Sequence, residues 1–369
     1  MRATPAITTH WAALDGLRGL AILGVLLGHL TLTPSSELSP VIAALAELGG
    51  RGVDLFFALS GYLIFSHLRT RRALPDWAGD FWRRRAAKIL PLYAALLSVV
   101  YLMLPPLLRL DGFETKLATQ IGASGDWLRY ATFTSNWLNF QAGRFINPAM
   151  DVAWSLAIEV QFYVLITVVF ALRPDGGTRR FWWLLASTAL VFRVVAFYAD
   201  ANWIQILVAT PARLDAFAAG LLLAYGIKPL PAWLRALGLL GLLFAALPAW
   251  SREGAWGMTL GYTWFALGCA ALVDIARQPL TSPSLQRLLT APTLTWLGTR
   301  SYALYLTHLP IRAALRDLLL PATITLSPSG VVGVQLLFYA GAGTVCIVVG
   351  HIVWRWCEKP ARNLILRSA

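Results

Sequence analysis

Leu14-Asp15-Gly16-Leu17-Arg18-Gly19-Leu20-Ala21-Ile22-Leu23-Gly24-Val25-Leu26-Leu27-Gly28-His29 is the stretch on which the fold of this chain turns. It has the look of a secretory leader, because Arg18 precedes an apolar run. Asp15 beside that arginine, the histidine that interrupts the run and the lack of a following A-x-A-like site argue instead for a retained helix over 14–32. Arg18 and His29 are eleven positions apart, which is about 1100° of helical rotation, or three turns with some 20° left over. They therefore share one face, about 16 Å apart along the axis. One reading places a cytoplasmic-edge charge and a deeper imidazole along the side of a tunnel. The other makes Arg18 an interfacial anchor and His29 a packing residue. An ionisable group inside hydrocarbon is by default a functional hypothesis.

Further segments of the same kind follow. The chain has 369 residues, 57% hydrophobic and only 13% charged, too apolar for a soluble domain and too long for one buried core. A spanning helix needs about 20 mostly apolar residues. Ten are predicted, over 14–32, 51–68, 89–108, 152–172, 181–199, 204–226, 232–250, 257–276, 297–319 and 331–354. The expected fold is an all-α polytopic membrane bundle forming a single domain over 1–369, with no appended soluble domain. With both termini cytoplasmic, the inner connections hold twenty of the thirty-one Lys and Arg residues and the outer ones eight, as the positive-inside rule requires. The net charge of +13 is thus topological and does not form the stripe or arm that nucleic acid would need. Cys269, Cys346 and Cys357 have neither disulfide nor metal-ligand spacing, so they read as packing residues and no metal is expected. The longest outer connection, 109–150, carries Trp127, Tyr130, Trp137 and Phe140 and could fold over the outer mouth.

Polar residues interrupt these runs at a few places. Asp54 opens the second span, as either a helix-terminal charge or a substrate contact. Arg83, Arg84, Arg85 and Lys88 precede the third. Arg85 and Lys88, three apart, are neighbours on one face. They could anchor the helix at anionic headgroups or clamp the phosphates of a nucleotide-bearing donor. Ser155, Glu159 and Phe162 recur at i, i+4 and i+7, followed by Tyr163. A carboxylate within hydrocarbon costs about 2.5–3.5 kcal/mol on insertion scales, so Glu159 needs a partner or a task. Arg213 and Asp215 form another polar insertion, as an internal ion pair or a substrate contact. Ser301, Tyr305 and His308 again share one face.

Taken in order, these motifs resemble acyltransferase family 3, the membrane O-acyltransferases, from about Trp11 to Arg362. Arg18 to His29 matches an Arg-x10-His pattern, and Gly52 to Ile64 the second-helix motif. Arg85 to Lys88 corresponds to Arg-x-x-Arg, Ser155 to Tyr163 to Ser-x-x-x-Glu-x-x-Phe-Tyr, and Ser301 to His308 to Ser-Tyr-x-x-Tyr-x-x-His. Lys88 departs from the pattern: the charge is kept and the bidentate fork is lost.

The resemblance implies a cytoplasmic acyl-CoA donor, acetyl-CoA by expectation, held by Arg18, Arg84, Arg85 and Lys88. It implies His29 as general base, its imidazole titrating near the working pH, with Glu159 orienting it or binding acceptor hydroxyls. An acyl-imidazole on His29 is a chemical alternative. Expected substrate contacts are Asp54, Ser155, Tyr163, Arg213, Tyr305 and His308. The acceptor would be a sugar, glycan or lipid-linked hydroxyl, and the site the lipid bilayer of a bacterial cytoplasmic membrane. The competing classes are a transporter or flippase, which would show paired broken helices in matching halves, and a membrane glycosyltransferase.

Overall fold

The computed structural model describes residues 6–32, 40–103, 126–226, 229–244, 247, 250–278, 282–319 and 328–367, and among these there are helices and connections but no strand. Helix α1 (Ala6–His29) leads through α2 (Pro40–Gly50) into α3 (Gly52–Arg71), and α4 (Trp77–Ser98) continues through a π-helical turn at Val99–Met103. Short α5 (Trp127–Ala131) and α6 (Ser135–Ala142) precede α7 (Ala153–Leu172) and α8 (Arg179–Tyr198). After α9 (Trp203–Val208) a 3-10 turn at Pro211–Arg213 leads into α10 (Leu214–Tyr225), and α11 (Ala232–Phe244) follows. A π-helical turn at Gly257–Gly261 opens α12 (Tyr262–Ala276), followed by α13 (Pro283–Leu289), α14 (Pro292–Leu319) and α15 (Pro328–Val353). The π-helical turn Trp354–Glu358 joins α15 to α16 (Lys359–Arg367).

Among the described residues, six stretches are long and apolar enough to cross a membrane: Ala12–His29, Trp77–Met103, Ala153–Leu172, Arg179–Tyr198, Gly257–Ala276 and Val332–Arg367. The other four expected spans meet the structure differently. Spans 51–68 and 297–319 fall on α3 and α14, which have the length but carry ionisable groups such as Asp54, His67, Arg300 and Arg312. Of span 232–250, α11 covers 13 residues; residues 245, 246, 248 and 249 lie outside those described, as do 104–108 of span 89–108. The continuous helix expected over 204–226 is corrected. It breaks at Ala209, which is extended (φ −72°, ψ 122°), because Pro211 has no amide N–H to give the Leu207 carbonyl one turn back and its ring would crowd that carbonyl in a continuous helix. Of the 109–150 connection, residues 109–125 lie outside those described. The remainder packs through α6 on α7 and α9, where Asn136 Nδ2 donates to the Val208 carbonyl (3.1 Å) and to Thr210 Oγ1 (3.0 Å) at the break.

Two glycine contacts set the central packing. A Cβ on Gly298 would lie 1.8 Å from the Asp15 carbonyl oxygen, and one on Gly19 would lie 2.1 Å from that of Leu294. Only hydrogen fits there, and in hydrocarbon such small-residue contacts let two backbones meet. Helices α1 and α14 therefore touch closely, and since Gly19 meets Leu294 while Arg312 bonds the Thr31 carbonyl, they run parallel. Helix α3 packs parallel to α10: Asp54 meets Arg213 near one end, Phe57 stacks on Phe217, and Phe65 meets Tyr225 near the other. Arg193 of α8 is wholly buried. Its Nη2 is 2.8 Å from Asp215 Oδ2, its Nε donates to the Thr259 carbonyl (2.9 Å), and Thr263 Oγ1 donates to the same carboxylate oxygen (2.7 Å).

Candidate functional site

Ten residues beyond the Gly19–Gly298 contact on each helix, a rise of about 15 Å, His29 of α1 meets His308 of α14. His29 Nδ1 and His308 Nε2 are 2.8 Å apart, and the ring planes differ by 4°. His308 is fully buried. Its Nδ1 lies 2.7 Å from the Tyr305 carbonyl oxygen, which can only accept, so this nitrogen carries a proton. In the neutral ring Nε2 is then an acceptor, and the proton between the rings belongs to His29 Nδ1. That leaves His29 Nε2 with its lone pair and no protein partner among the described residues. A backbone carbonyl on one helix thus selects the tautomer of an imidazole on another.

On the Arg18 side of this pair lies a cavity of about 90 Å³, enclosed by α1, α3, α4, α7 and α14. Three cations reach its wall: Arg18, Arg85 and Lys88. Arg18 Nη1 also bonds Asp15 Oδ1 at 2.6 Å. The Arg85 guanidinium stands over the rings of Phe81 (5.8 Å) and Tyr163 (5.9 Å), with its Nε buried and without a protein partner among the described residues. Glu159 lines the same cavity, where its Oε1 accepts from Ser60 Oγ (2.7 Å) and Tyr163 OH (2.6 Å). Ser155 Oγ and Tyr305 OH, 2.6 Å apart, complete the wall towards the histidines.

Most of the residues expected from the sequence therefore meet: His29 with His308, and Arg18, Arg85, Lys88, Ser155, Glu159, Tyr163 and Tyr305 around one cavity. Three of them lie elsewhere. Arg84 points about 100° away from Arg85 on the helix, and its Nε bonds both carboxylate oxygens of Asp80 at 3.0 Å. Asp54 and Arg213 bury their charges against each other, and the guanidinium lies 4.1 Å from the Tyr262 ring centroid. Neither is among the residues lining the cavity. Asp215, read with Arg213 as one insertion, pairs instead with Arg193. The hydrogen-bond partner of His29 is His308, whereas Glu159 bonds Ser60 and Tyr163.

Sequence reasoning missed three residues. Ser60 lines the cavity and donates to Glu159, and Tyr302 inside the late motif lines the cavity and donates to the Ile89 carbonyl (2.8 Å). Glu358, buried in the turn after α15 with Oε2 unpartnered among the described residues, interacts electrostatically with Lys88. Its signal was an acid set among the cations at 355–362.

Outside the spans, Asp151 closes the loop before α7. Its Oδ1 accepts from the backbone amides of Ile146 (3.2 Å) and Asn147 (3.1 Å). Burial nevertheless outweighs those two donors and pushes its carboxyl up to about 7.

A family model described as an acyltransferase domain matches residues 11–354. The chain belongs to this acyltransferase family. It is similar to O-acetyltransferase OatA of Staphylococcus aureus strain NCTC 8325, 26% identical over 374 residues, which covers 95% of this chain and 57% of that protein. Putative O-acetyltransferase SAS0844 of Staphylococcus aureus strain MSSA476 is 26% identical over 333 residues, 82% of this chain and 50% of its own length. The chain thus spans little more than half the length of these curated relatives. No solved structure matches it. The histidine pair and the cavity of this acyltransferase chain lie inside the matched region, and Glu358 stands just beyond it.

Proposed function

We propose that the protein is a multi-pass membrane O-acyltransferase. It moves an acyl group, acetyl by the names of its relatives, from cytoplasmic acyl-CoA to a hydroxyl of a sugar, glycan or lipid-linked acceptor. The observation that carries this reading is the tautomer imposed on His29: Nδ1 is committed to His308, and Nε2 is left as a proton acceptor inside the bundle. Arg85, Lys88 and Arg18 make one side of the cavity cationic, which suits the phosphates of the donor, and the thioester arm then extends along the Arg18–His29 face. The acceptor O–H gives its proton to His29 Nε2 as the oxygen attacks the thioester carbonyl. The C–S bond breaks, and the thiolate leaves with the proton returned by His29. His308 acts through His29 as a positioning residue. Glu159, Ser155, Tyr163 and Tyr305 offer the acceptor hydrogen bonds, while Asp54 and Arg213 hold α3 to α10.

The test uses acyl-labelled coenzyme A and the purified protein in liposomes. Label passing into glycan, absent in His29→Ala, is the expected result. Solute flux or sugar incorporation without acyl transfer would move the protein to the transporter or glycosyltransferase class. Acyl label trapped on His29 without acceptor would replace direct transfer by a covalent relay. The topology that goes with the reading is ten spans, both termini cytoplasmic, in a bacterial cytoplasmic membrane. Reporter fusions after Arg72 and after Gly125 then report opposite sides, and the same side for both overturns it.

A further inference from the structure

Away from the histidines, α8, α10, α11 and α12 enclose a second cavity of about 550 Å³, lined by none of the residues assigned to acyl transfer. Its walls are apolar over most of their length, with Ala186 and Trp183 from α8, Ala219 and Leu222 from α10, Leu234 from α11 and Leu267 from α12. Trp183 is 56% exposed at the rim, and α8 buries less of itself than any other candidate span. The cavity is therefore a groove on the flank of the bundle, where lipid stands.

The two ends of the groove differ. One is closed by Asp215 and Thr263, which are bonded to each other and to Arg193 and so present no unpaired charge to the groove. At the other end stand Arg179 and Arg277. From Asp215 to Gly226, both of which line the groove, α10 rises about 16 Å. That is close to half of a hydrocarbon core of about 30 Å, the depth of one leaflet. The charged end thus falls at the level of the headgroups.

Charge there is concentrated. The last carbonyls of α10, at Ala224, Tyr225 and Gly226, accept from Arg69 (3.3 Å), Arg179 (2.9 Å) and Arg277 (2.9 Å). Arg235 and Arg277 share Asp274, and Asp175 is the second carboxylate acting on this corner. Four guanidiniums face two carboxylates. Arg179 is exposed and turns Nη2 to Tyr225, and its remaining donors can reach an anion at the interface. A free phosphate would use only the arginines, whereas the apolar length behind them calls for a hydrocarbon chain.

We propose that this groove binds an anionic phospholipid of the adjacent leaflet, with its phosphate at Arg179 beside the Asp274-paired Arg277 and one acyl chain lying along α10 towards Asp215. The chain fills the space between α8 and α11, and α11, 13 residues long among those described, makes its main packing with α12. Bound lipid therefore stabilises the α10–α11–α12 corner. This inference stands apart from the acyl-transfer reading.

Native mass spectrometry and thermal unfolding of the full chain in neutral detergent test it, with phosphatidylglycerol, phosphatidylcholine and inorganic phosphate added separately. Retained phosphatidylglycerol adducts and a Tm raised by phosphatidylglycerol alone are expected. Ala186→Trp fills the groove and removes both signals. Arg179→Gln leaves the fold's ion pairs intact and weakens phosphatidylglycerol binding about fivefold, since one interfacial arginine contributes about that factor. Equal retention of the two lipids, a shift produced by inorganic phosphate, or Ala186→Trp and Arg179→Gln proteins that bind phosphatidylglycerol like the parent would each overturn the proposal.

Discussion

The histidine pair and the Arg193 cluster both place polar groups in the apolar interior, and they differ in what they leave over. Around Arg193, every nitrogen of the guanidinium meets an acceptor, and the Asp215 carboxylate is shared between that arginine and Thr263. The charges cancel and face no cavity of the transfer site. At His29 one nitrogen is held and the other has no partner among the described residues, and at the neighbouring cavity the buried Nε of Arg85 is likewise unpartnered among them. A buried polar group closed on itself specifies packing. One left with a lone pair or a donor facing a cavity is placed to act on a ligand.

The largest expected effect follows from His29. As general base it contributes roughly 10²–10⁴-fold to the rate. His29→Ala therefore lowers turnover at saturating donor by that factor with the Tm almost unchanged, since interhelical polar contacts in membranes are typically worth about 0.6–2 kcal/mol. Near-normal turnover would move the base elsewhere, with His308 the next candidate. Arg193→Leu should do the reverse. It leaves the Asp215 carboxylate buried without its counter-ion, at a cost of about 3–5 kcal/mol, so the protein unfolds at markedly lower temperature or denaturant. Arg193→Leu combined with Asp215→Leu recovers much of the loss. If the single variant is as stable as the parent, the cluster is not what packs α8 against α10 and α12.

Smaller effects sharpen the contrast inside the cavity. Arg85→Ala removes hydrogen bonds to phosphate worth about 1.5–3 kcal/mol. Because those contacts are remote from the reacting atoms, the KM for acyl-CoA rises roughly ten- to a hundredfold while kcat holds. Lys88→Arg is tolerated, and loss of activity there would count against this face as the donor side. Arg84→Ala, whose guanidinium is spent on Asp80, changes the donor KM little.

Asp151 makes stability, not turnover, depend on pH. Its folded carboxyl titrates near 7, above the ordinary 3.8, so the folded state binds more protons than the unfolded one between these values. Stability on this account is greatest at low pH and falls as pH rises from about 4 to about 7. Asp151→Asn keeps an acceptor for the Ile146 and Asn147 amides and should flatten the dependence of Tm on pH in that window. An unchanged slope would assign it to other groups.

Much of the site was legible because helical rotation is local. The eleven-residue interval fixed Arg18 and His29 on one face and the i, i+4 spacing tied Ser155 to Glu159, whereas Arg84, expected beside Arg85 at the donor, lies about a third of a turn away and bonds Asp80. The apolar runs likewise required helices, since backbone in hydrocarbon has no other donors or acceptors. Span counting was less secure at α3 and α14. These two helices line the cavity and carry polar groups, so their composition departs from that of a lipid-facing span. The expectation of one continuous helix over 204–226 failed, because Pro211 breaks a run that hydropathy alone reads as unbroken.

Sequence by itself thus determined the class of fold, the faces of the individual helices and the inventory of groups able to do chemistry. It could not pair them. His29 and His308 are 279 residues apart, and Arg213 and Asp54 are 159 apart; which of several like-charged or aromatic faces each would meet depends on which helices abut. That choice was made by close packing. Where Gly19 and Gly298 let two backbones touch, α1 and α14 lie parallel and in register, the Tyr305 carbonyl sets the proton on His308, and His308 sets the proton on His29.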